Sequence, residues 1–214
     1  MSLGQRGMLL AAIVMPVQVA AAQLVSADSI TIGETFQMHS AILGEARRIN
    51  VYRPPAYGEP AGTRRPVLYM PDGGIAEDFL HVAGLLQVSV GNSTMRPFIV
   101  VGSENTERRR ELTGPTRVAE DSTIAPRGGG SAAFRRFIRD ELIPLIDARY
   151  ATTNERGIIG ESLAGLFVVE TFLLDPTLFD SYIAFENRTV YLVFDSDVMS
   201  KGGVRAALER LTEH

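Results

Sequence analysis

The sequence predicts an α/β fold, a mostly parallel sheet covered by helices on both faces. After residue 23, short apolar runs alternate with segments that have helical spacing, an order typical of strand–helix–strand units. The chain has 214 residues, 45% of them hydrophobic, which is enough for one domain with a substantial core. We find neither an internal repeat nor a low-complexity run.

Composition excludes several functional classes. The formal net charge is −4, so no broad basic face is expected and nucleic acid is not a default partner. The basic cluster at 107–111 is flanked by acids, which favours a local salt-bridged loop. Without cysteine, disulfides and thiolate nucleophiles are excluded. The three histidines, His39, His81 and His214, form no H-x-x-x-H pair, so no zinc site is predicted.

The first half of the pattern begins with strands. Residues 29–40 alternate polar and apolar and predict a strand; residues 47–55 predict a second, ended by a Pro-Pro pair. "PVLYMPDGG" (66–74) is a short apolar strand that runs into a turn. Helical spacing follows at 76–90, and "RPFIVVGSEN" (96–105) predicts a strand buried on both sides.

The second half continues the alternation. We expect a long polar loop over residues 103–127, which is functional or mobile at that length. Residues 131–150 predict an amphipathic helix, with Ser131 placed to cap it and Pro144 expected to kink or interrupt it. A strand around 157–160 and another helix complete the pattern.

Ser162 lies between that strand and helix, in the sequence G-x-S-x-A. A serine hydroxyl needs a base and oxyanion donors to act as a nucleophile, and a sharp strand–helix bend exposes its Oγ. The amide of Leu163 would then point from the helix start toward the developing charge. Such a bend requires small residues on either side, here Gly160 and Ala164, although glycine is usual at the second place. A helix-capping serine is the simpler alternative.

A second oxyanion donor is expected from a loop after an earlier central strand. The turn after residue 70 supplies one, because Gly73 or Gly74 can bring bare backbone close to a substrate oxygen. An ordinary strand-to-helix turn would have the same sequence. The two features together, in this order, favour a serine hydrolase.

These segments resemble the Putative esterase family of α/β-hydrolases, which includes relatives of the enterochelin (siderophore) esterases and esterase D. The resemblance runs from about residue 30 to 185, through "INVYRPPAY", "PVLYMPDGG", "ENTERRRELTGPT", "GGSAAFRRFIRDELIPLIDARYAT" and "GESLAGLFVVETFLLDPTLFDSYIAF". It implies a hydrolase-type sheet, no metal or dissociable cofactor, and ester or thioester cleavage through an acyl-serine.

The resemblance also implies roles for individual residues. Ser162 falls on the family's nucleophile, and Leu163 and the Gly73–Gly74 turn fall on its oxyanion loop. Arg110 falls on a segment near the mouth of the site. The implied partner is a small-molecule ester.

The N-terminus predicts a secretory signal over residues 1–22. Arg6 supplies positive charge, an apolar stretch follows, and small residues precede Gln23. We therefore expect a secreted or periplasmic protein with no stable membrane insertion after cleavage; a buried helix of the mature fold is the alternative. The remaining boundaries are an esterase-like domain at 23–187 and an atypical tail at 188–214.

The tail departs from the family, whose triad continues from serine to an acid and then histidine. The base is therefore unknown. His214 is the final residue and is expected to be solvated; His39 is expected to be structural, and His81 to pack beneath the site. The C-terminal part of the fold is predicted to be incomplete, with a junction near 185–188 that is a natural fusion or an artefact.

Two carboxylates in the tail, Asp195 and Asp197, follow an apolar strand. They could supply the triad acid, bind Mg²⁺, or serve as turn and capping residues. The segment resembles the strand-DxD-helix unit of Toprim-like domains. Three hypotheses follow: a serine esterase, a truncated homologue that only binds ligand, and a metal-dependent activity of the tail, which the acidic balance of the chain disfavours.

Overall fold

Seven strands of the protein form one sheet, flanked by helices. A computed structural model describes residues 26–55, 58–186 and 189–195. The strands are β1 (Glu34–Ser40), β2 (Glu45–Tyr52), β3 (Arg65–Met70), β4 (Ile99–Ser103), β5 (Thr152–Glu161), β6 (Ser181–Glu186) and β7 (Thr189–Asp195). The helices are α1 (Phe79–Gly91), α2 (Arg108–Leu112), α3 (Ala119–Ile124), α4 (Ser131–Phe137), α5 (Ile143–Arg149) and α6 (Leu163–Leu174), with a π-helical turn at Ile138–Leu142. These elements belong to a unit that starts at Ile32; residues 26–31 before it contain no helix or strand.

The strand order is β1-β2-β4-β3-β5-β6-β7. The four central strands, β4, β3, β5 and β6, are parallel to one another. Pairing is antiparallel for β1 with β2, β2 with β4, and β6 with β7. Only β2 and β7 therefore run against the common direction of the described strands, which confirms the predicted mostly parallel sheet.

Helices cover both faces of the sheet, as predicted. On one face, α1 packs through Phe79 and Leu86 against β-strand residues such as Val100. On the other, α4, α5 and α6 pack against the intervening strand residues, including Val67 and Val101. Because successive side chains of a strand point to opposite faces, the apolar run of β4 serves both cores at once.

Pro144 interrupts the predicted helix over 131–150. The chain widens into the π-helical turn at Ile138–Leu142, and Pro144 falls in the first turn of α5. A proline lacks the N–H and its ring clashes with the carbonyl four residues earlier, so the first turn of a new helix accommodates it. Ser131 does not cap α4: the helix starts at Ser131, and its hydroxyl donates to Glu170 Oε1 at 2.8 Å.

The expected loop over 103–127 contains two helices, α2 and α3, and the prediction of a continuous loop is wrong. The buried carboxylate of Glu111 accepts the backbone N–H groups of Thr106 (3.2 Å) and Glu107 (2.9 Å). These bonds satisfy N–H groups ahead of and at the start of α2, which otherwise have no acceptor. A run of polar residues concealed this local capping.

The strand expected at the start of the tail is observed as β7. Asp195 is its last residue, whereas Asp197, His214 and the predicted signal segment lie outside the described residues. In the part of the chain that the structure describes, no helix is both long and apolar enough to cross a bilayer.

Candidate active site

Ser162 is the single residue between β5 and α6. Its backbone has φ 55° and ψ −117°, and residues other than glycine rarely adopt a positive φ. Its N–H donates to Phe185 O at 2.9 Å, and its carbonyl accepts from Leu166 N at 3.0 Å. These two hydrogen bonds hold the strained backbone in place. Ser162 is exposed in this conformation.

Gly160 and Ala164 meet at the inner side of this bend. A Cβ on Gly160 would lie 2.5 Å from the carbonyl carbon and oxygen of Ala164 and 2.9 Å from its Cβ. Real Cβ atoms do not approach backbone so closely, so the bend requires glycine at position 160. The expected crowding is therefore present, and it brings the start of α6 against the end of β5.

The amide of Leu163 belongs to the first residue of α6. The first four N–H groups of a helix have no intrahelical acceptor, and the helix dipole concentrates positive potential there. The amide lies directly after the exposed Ser162. This arrangement suits a donor for a negatively charged oxygen that forms on a group bonded to Ser162.

The turn after β3 has a second left-handed residue, Asp72, at φ 55° with 3% of its surface exposed. The next residue, Gly73, is held on both sides: its N–H donates to Ser103 O at 3.0 Å, and its carbonyl accepts from Asn50 Nδ2 at 2.8 Å. A Cβ on Gly73 would lie 2.2 Å from Gly102 Cα, so glycine is required for this close approach of β3 and β4.

Gly74 donates its N–H to Glu77 Oε2 at 2.6 Å. Of the two predicted donors in this loop, Gly73 is committed to the sheet, and Gly74 is bound to a side chain that could move away. Burial raises the pKa of Glu77 above its ordinary value, although bonds from Asn105 and Gly74 oppose that rise. Gly74 could thus donate to a substrate oxygen only after Glu77 withdraws.

A polar network that sequence reasoning missed supports this loop. Arg108 Nη2 donates to Asp72 Oδ2 at 2.6 Å, and its Nε lies 2.9 Å from both carboxylate oxygens. Asn105 Nδ2 donates to Asp72 and, at 2.8 Å, to Glu77 Oε1. The hydrogen bonds to Asp72 raise the pKa of the Arg108 guanidinium. The sequence signal for this network was the aspartate of the Pro-Asp-Gly-Gly turn. Its cationic partner, Arg108, lies 36 residues away in the sequence.

Arg110, which the resemblance placed near the site mouth, forms ion pairs with Glu45 and Glu111 at 2.7 and 2.8 Å. Glu111 also pairs with the fully buried Arg47 at 2.7 Å. The basic cluster is salt-bridged as expected, but Arg108 and Arg110 pair mainly with acids from distant segments, Asp72 and Glu45, so the pairing is not local.

The two described histidines are both exposed. His39 lies on β1, and four strand spacings of about 4.8 Å separate β1 from β5, so His39 is about 19 Å across the sheet from Ser162. His81 lies on the exposed side of the first turn of α1, so the expectation that it packs beneath the site is wrong. Among the described residues, no histidine is hydrogen-bonded to Ser162 Oγ, and the base remains unassigned. The described side chains also include no group of three or more acids or histidines able to bind a metal ion.

Two cavities flank the bend. One, of about 400 Å³, is lined by Ser162 itself and by Val169 and Phe185, on the side of β6. The other, of about 530 Å³, lies between α6 and the segment 113–128. Leu163 and Leu166 line both. An exposed serine, a helix amide with no acceptor among the described residues and two adjoining cavities can bind and position a small molecule.

A family model described as "Putative esterase" matches residues 40–187. The chain belongs to this family. The match covers every strand from β2 to β6, the bend at Ser162 and the Gly73–Gly74 turn, and it confirms the family resemblance of the sequence.

One of two curated relatives is named as a siderophore esterase. Ferri-bacillibactin esterase BesA of Bacillus subtilis (strain 168) is 30% identical over 171 residues, which are 71% of this chain and 56% of that protein. The uncharacterised protein YbbA of the same strain is 29% identical over 136 residues, 62% of this chain and 53% of that protein. The chain thus spans about half the length of these curated relatives.

Solved structures confirm the fold. An IroE-like serine hydrolase from Shewanella oneidensis aligns with a TM-score of 0.63 and 30% identity over 69% of this chain and 48% of that chain. The siderophore hydrolase EstB from Aspergillus nidulans aligns with a TM-score of 0.62 and 23% identity over 74% of this chain and 59% of that chain. The predicted α/β-hydrolase-type sheet is therefore confirmed.

Proposed function

We propose that the protein is a serine hydrolase that cleaves carboxylic esters, of siderophore type or with simple acyl groups, through an acyl-serine intermediate. The observation that carries the proposal is the conformation of Ser162: an exposed serine at φ 55° between a strand and a helix. A serine that only capped α6 would not need a left-handed backbone, because capping residues normally have extended dihedrals.

The proposed reaction forms one bond and breaks one at the ester carbonyl. Ser162 Oγ would attack the carbonyl carbon as a base removes its proton, and the Leu163 amide would bind the resulting oxyanion. Collapse would expel the alcohol, which takes a proton, and water would then release the acid from the serine. Family membership supports hydrolase chemistry, and the names of BesA and EstB support the siderophore-type substrate.

A second candidate is a homologue that binds an ester or siderophore-like ligand without cleaving it. Two observations favour it: no histidine among the described residues contacts Ser162 Oγ, and Glu77 occupies the amide of Gly74 at 2.6 Å. Without a base, serine attack loses most of its rate, while oxyanion donors alone retain a residual activity.

Turnover of p-nitrophenyl butyrate tests the proposal, with Ser162→Ala expected to abolish it. Ser93→Ala is the matched control, because Ser93 is also exposed and has φ 57° but lies in the turn after α1. Unchanged turnover in Ser162→Ala would contradict the proposal. Stoichiometric labelling of Ser162, and not Ser93, by a fluorophosphonate would distinguish an activated nucleophile from the ligand-binding alternative.

We also propose export, as the N-terminal pattern predicts. Protein recovered from an expressing bacterium should then begin at Gln23 and be found outside the cytoplasm. A recovered chain that retains residues 1–22 would contradict this part of the proposal.

A further inference from the structure

The larger of the two cavities beside Ser162 is lined mostly by carbon. It lies between the first turns of α6 and the segment 113–128, and its volume of about 530 Å³ is within the range of small-molecule sites. Leu163 and Leu166 line it from α6, and Pro115, Ile124 and Ala125 line it from the opposite side. Leu166 and Ile124 leave 53% and 63% of their surfaces exposed, so apolar surface faces the opening.

Two charged residues at the cavity wall form hydrogen bonds within the protein. Arg109 Nη1 donates to the carbonyl of Ile124 at 2.8 Å. Glu170 Oε1 accepts from Ser131 Oγ at 2.8 Å and faces Arg135 Nη2 at 3.8 Å. The charge of Glu170 is thus balanced by Arg135, the exposed Arg109 is bonded to a neutral carbonyl, and the rest of the wall is mostly apolar.

The ends of the wall segment are also held in place by the hydroxyl of Thr113. Thr113 Oγ1 donates to Arg109 O at 2.6 Å and accepts from Gly129 N at 3.3 Å. These bonds connect the end of α2 to the segment before α4. The cavity is therefore formed before a ligand arrives, which lowers the ordering cost of binding.

The position of the cavity indicates which half of an ester it holds. In hydrolases of this topology the acid and the base follow the serine in the chain, and the base protonates the leaving alcohol. Here the chain after α6 enters β6, so a base supplied by the chain after the serine would approach from the β6 side, and the alcohol would then face the smaller cavity beside Phe185. The acyl group then faces the opposite side, which is the cavity between Leu163 and Ile124.

We propose that this cavity is the acyl subsite and that it binds an uncharged, apolar acyl group of medium length, such as octanoyl. This inference rests on the proposed esterase function and narrows it, because it favours simple acyl esters over siderophore-type ones. Ile124 and Leu166 are the residues that determine the preference.

A series of p-nitrophenyl esters from acetate to octanoate, kept below micelle formation, tests the preference. We expect kcat/KM to rise with chain length by about fourfold for each methylene that becomes fully buried, the equivalent of ~0.8 kcal/mol. A profile that peaks at acetate would overturn the proposal. A series of alkyl acetates with longer alcohols gives a second check. If kcat/KM rose with the length of the alcohol, and Ile124→Gln removed that rise, the proposal would also be overturned.

The substitution Ile124→Gln keeps a side chain of similar length and adds polarity to the wall. It should lower the ratio of octanoate to acetate kcat/KM by about tenfold, the lower end of what one hydrophobic contact contributes to specificity. Leu173→Gln is the matched control, since Leu173 is 46% exposed on the same helix as Leu166 but does not line the cavity. Equal ratios in the two variants would overturn the proposal.

Binding separates this inference from catalysis. Octanamide and acetamide are neutral and resist hydrolysis, and they can be titrated calorimetrically into Ser162→Ala. Tighter binding of octanamide, weakened by adding Ile124→Gln, would support the subsite even if no ester were hydrolysed. Equal binding of the two amides would overturn the subsite, whether or not the protein proved to be an esterase.

Discussion

Replacing Gly160 by alanine tests the geometry of the strand–helix bend. The added Cβ would lie 2.5 Å from the carbonyl carbon and oxygen of Ala164, so β5 and α6 must separate by a substantial part of an ångström. Forcing an extra carbon into a packed site typically costs about 1–3 kcal/mol. We expect Gly160→Ala to lower the free energy of unfolding by that amount and to displace the Leu163 amide, with a loss of any esterase activity.

Gly84→Ala is the matched control for this change. Gly84 lies within α1, and a Cβ there would meet nothing within 4 Å. Alanine at an exposed helix position should therefore raise stability by about 0.5–1 kcal/mol. Urea unfolding of the two variants gives both values, and the reasoning fails if Gly160→Ala is as stable as the unmodified protein.

Three other predictions concern single groups. Glu111→Gln removes the buried one of the two carboxylates that pair with Arg47 and leaves only Glu45, at 3.0 Å. It should cost about 3 kcal/mol, the lower end for breaking a buried pair, against about 0–1 for Glu155→Gln in an exposed pair. Ser162→Gly should be about 1–2 kcal/mol more stable than Ser162→Ala, since only glycine adopts φ 55° without strain. Because burial raises the pKa of Glu77, its charge should destabilise the fold at neutral pH, and the stability advantage of Glu77→Gln should shrink as the pH falls toward ~4.

Denaturant unfolding measures all three. Equal losses in Glu111→Gln and Glu155→Gln would show that the pair at Arg47 is not energetically distinct. Equal stability of the glycine and alanine variants at position 162 would contradict backbone strain there. A stability difference at Glu77 that is constant with pH, or that grows on acidification, would contradict the direction of its pKa change.

Local patterns predicted most of the sheet. The alternation over residues 29–40 predicted a half-buried strand and the apolar run within 96–105 a buried one. Strands were observed at Glu34–Ser40 and Ile99–Ser103, so the first begins five residues later than predicted. The bend at Ser162 was predictable for a similar reason, since the small residues that it requires are adjacent in sequence. The close contact between Gly160 and Ala164 shows why the bend requires small residues at those positions.

Contacts between distant segments were not predictable. Arg47 and Glu111 are 64 residues apart, and neither residue type indicates burial on its own. The same holds for Arg108 and Asp72, which are 36 residues apart. The bond from Gly74 to Glu77 is local, but a turn sequence does not specify it. His81 was expected to be packed, but the apolar face of α1 is formed by Phe79, Val82 and Leu86, which leaves His81 on the exposed side.

The hydroxyl of Ser162 and the amide after it form the centre of the proposed chemistry. A crystal structure of the protein treated with a fluorophosphonate would test their arrangement most directly. We expect a phosphorus–oxygen bond at Ser162 Oγ, a positive φ at that residue, and a phosphoryl oxygen about 2.7–3.1 Å from the Leu163 nitrogen. An unmodified Ser162, or an adduct whose oxygen is directed away from that nitrogen, would contradict the proposed role of the bend.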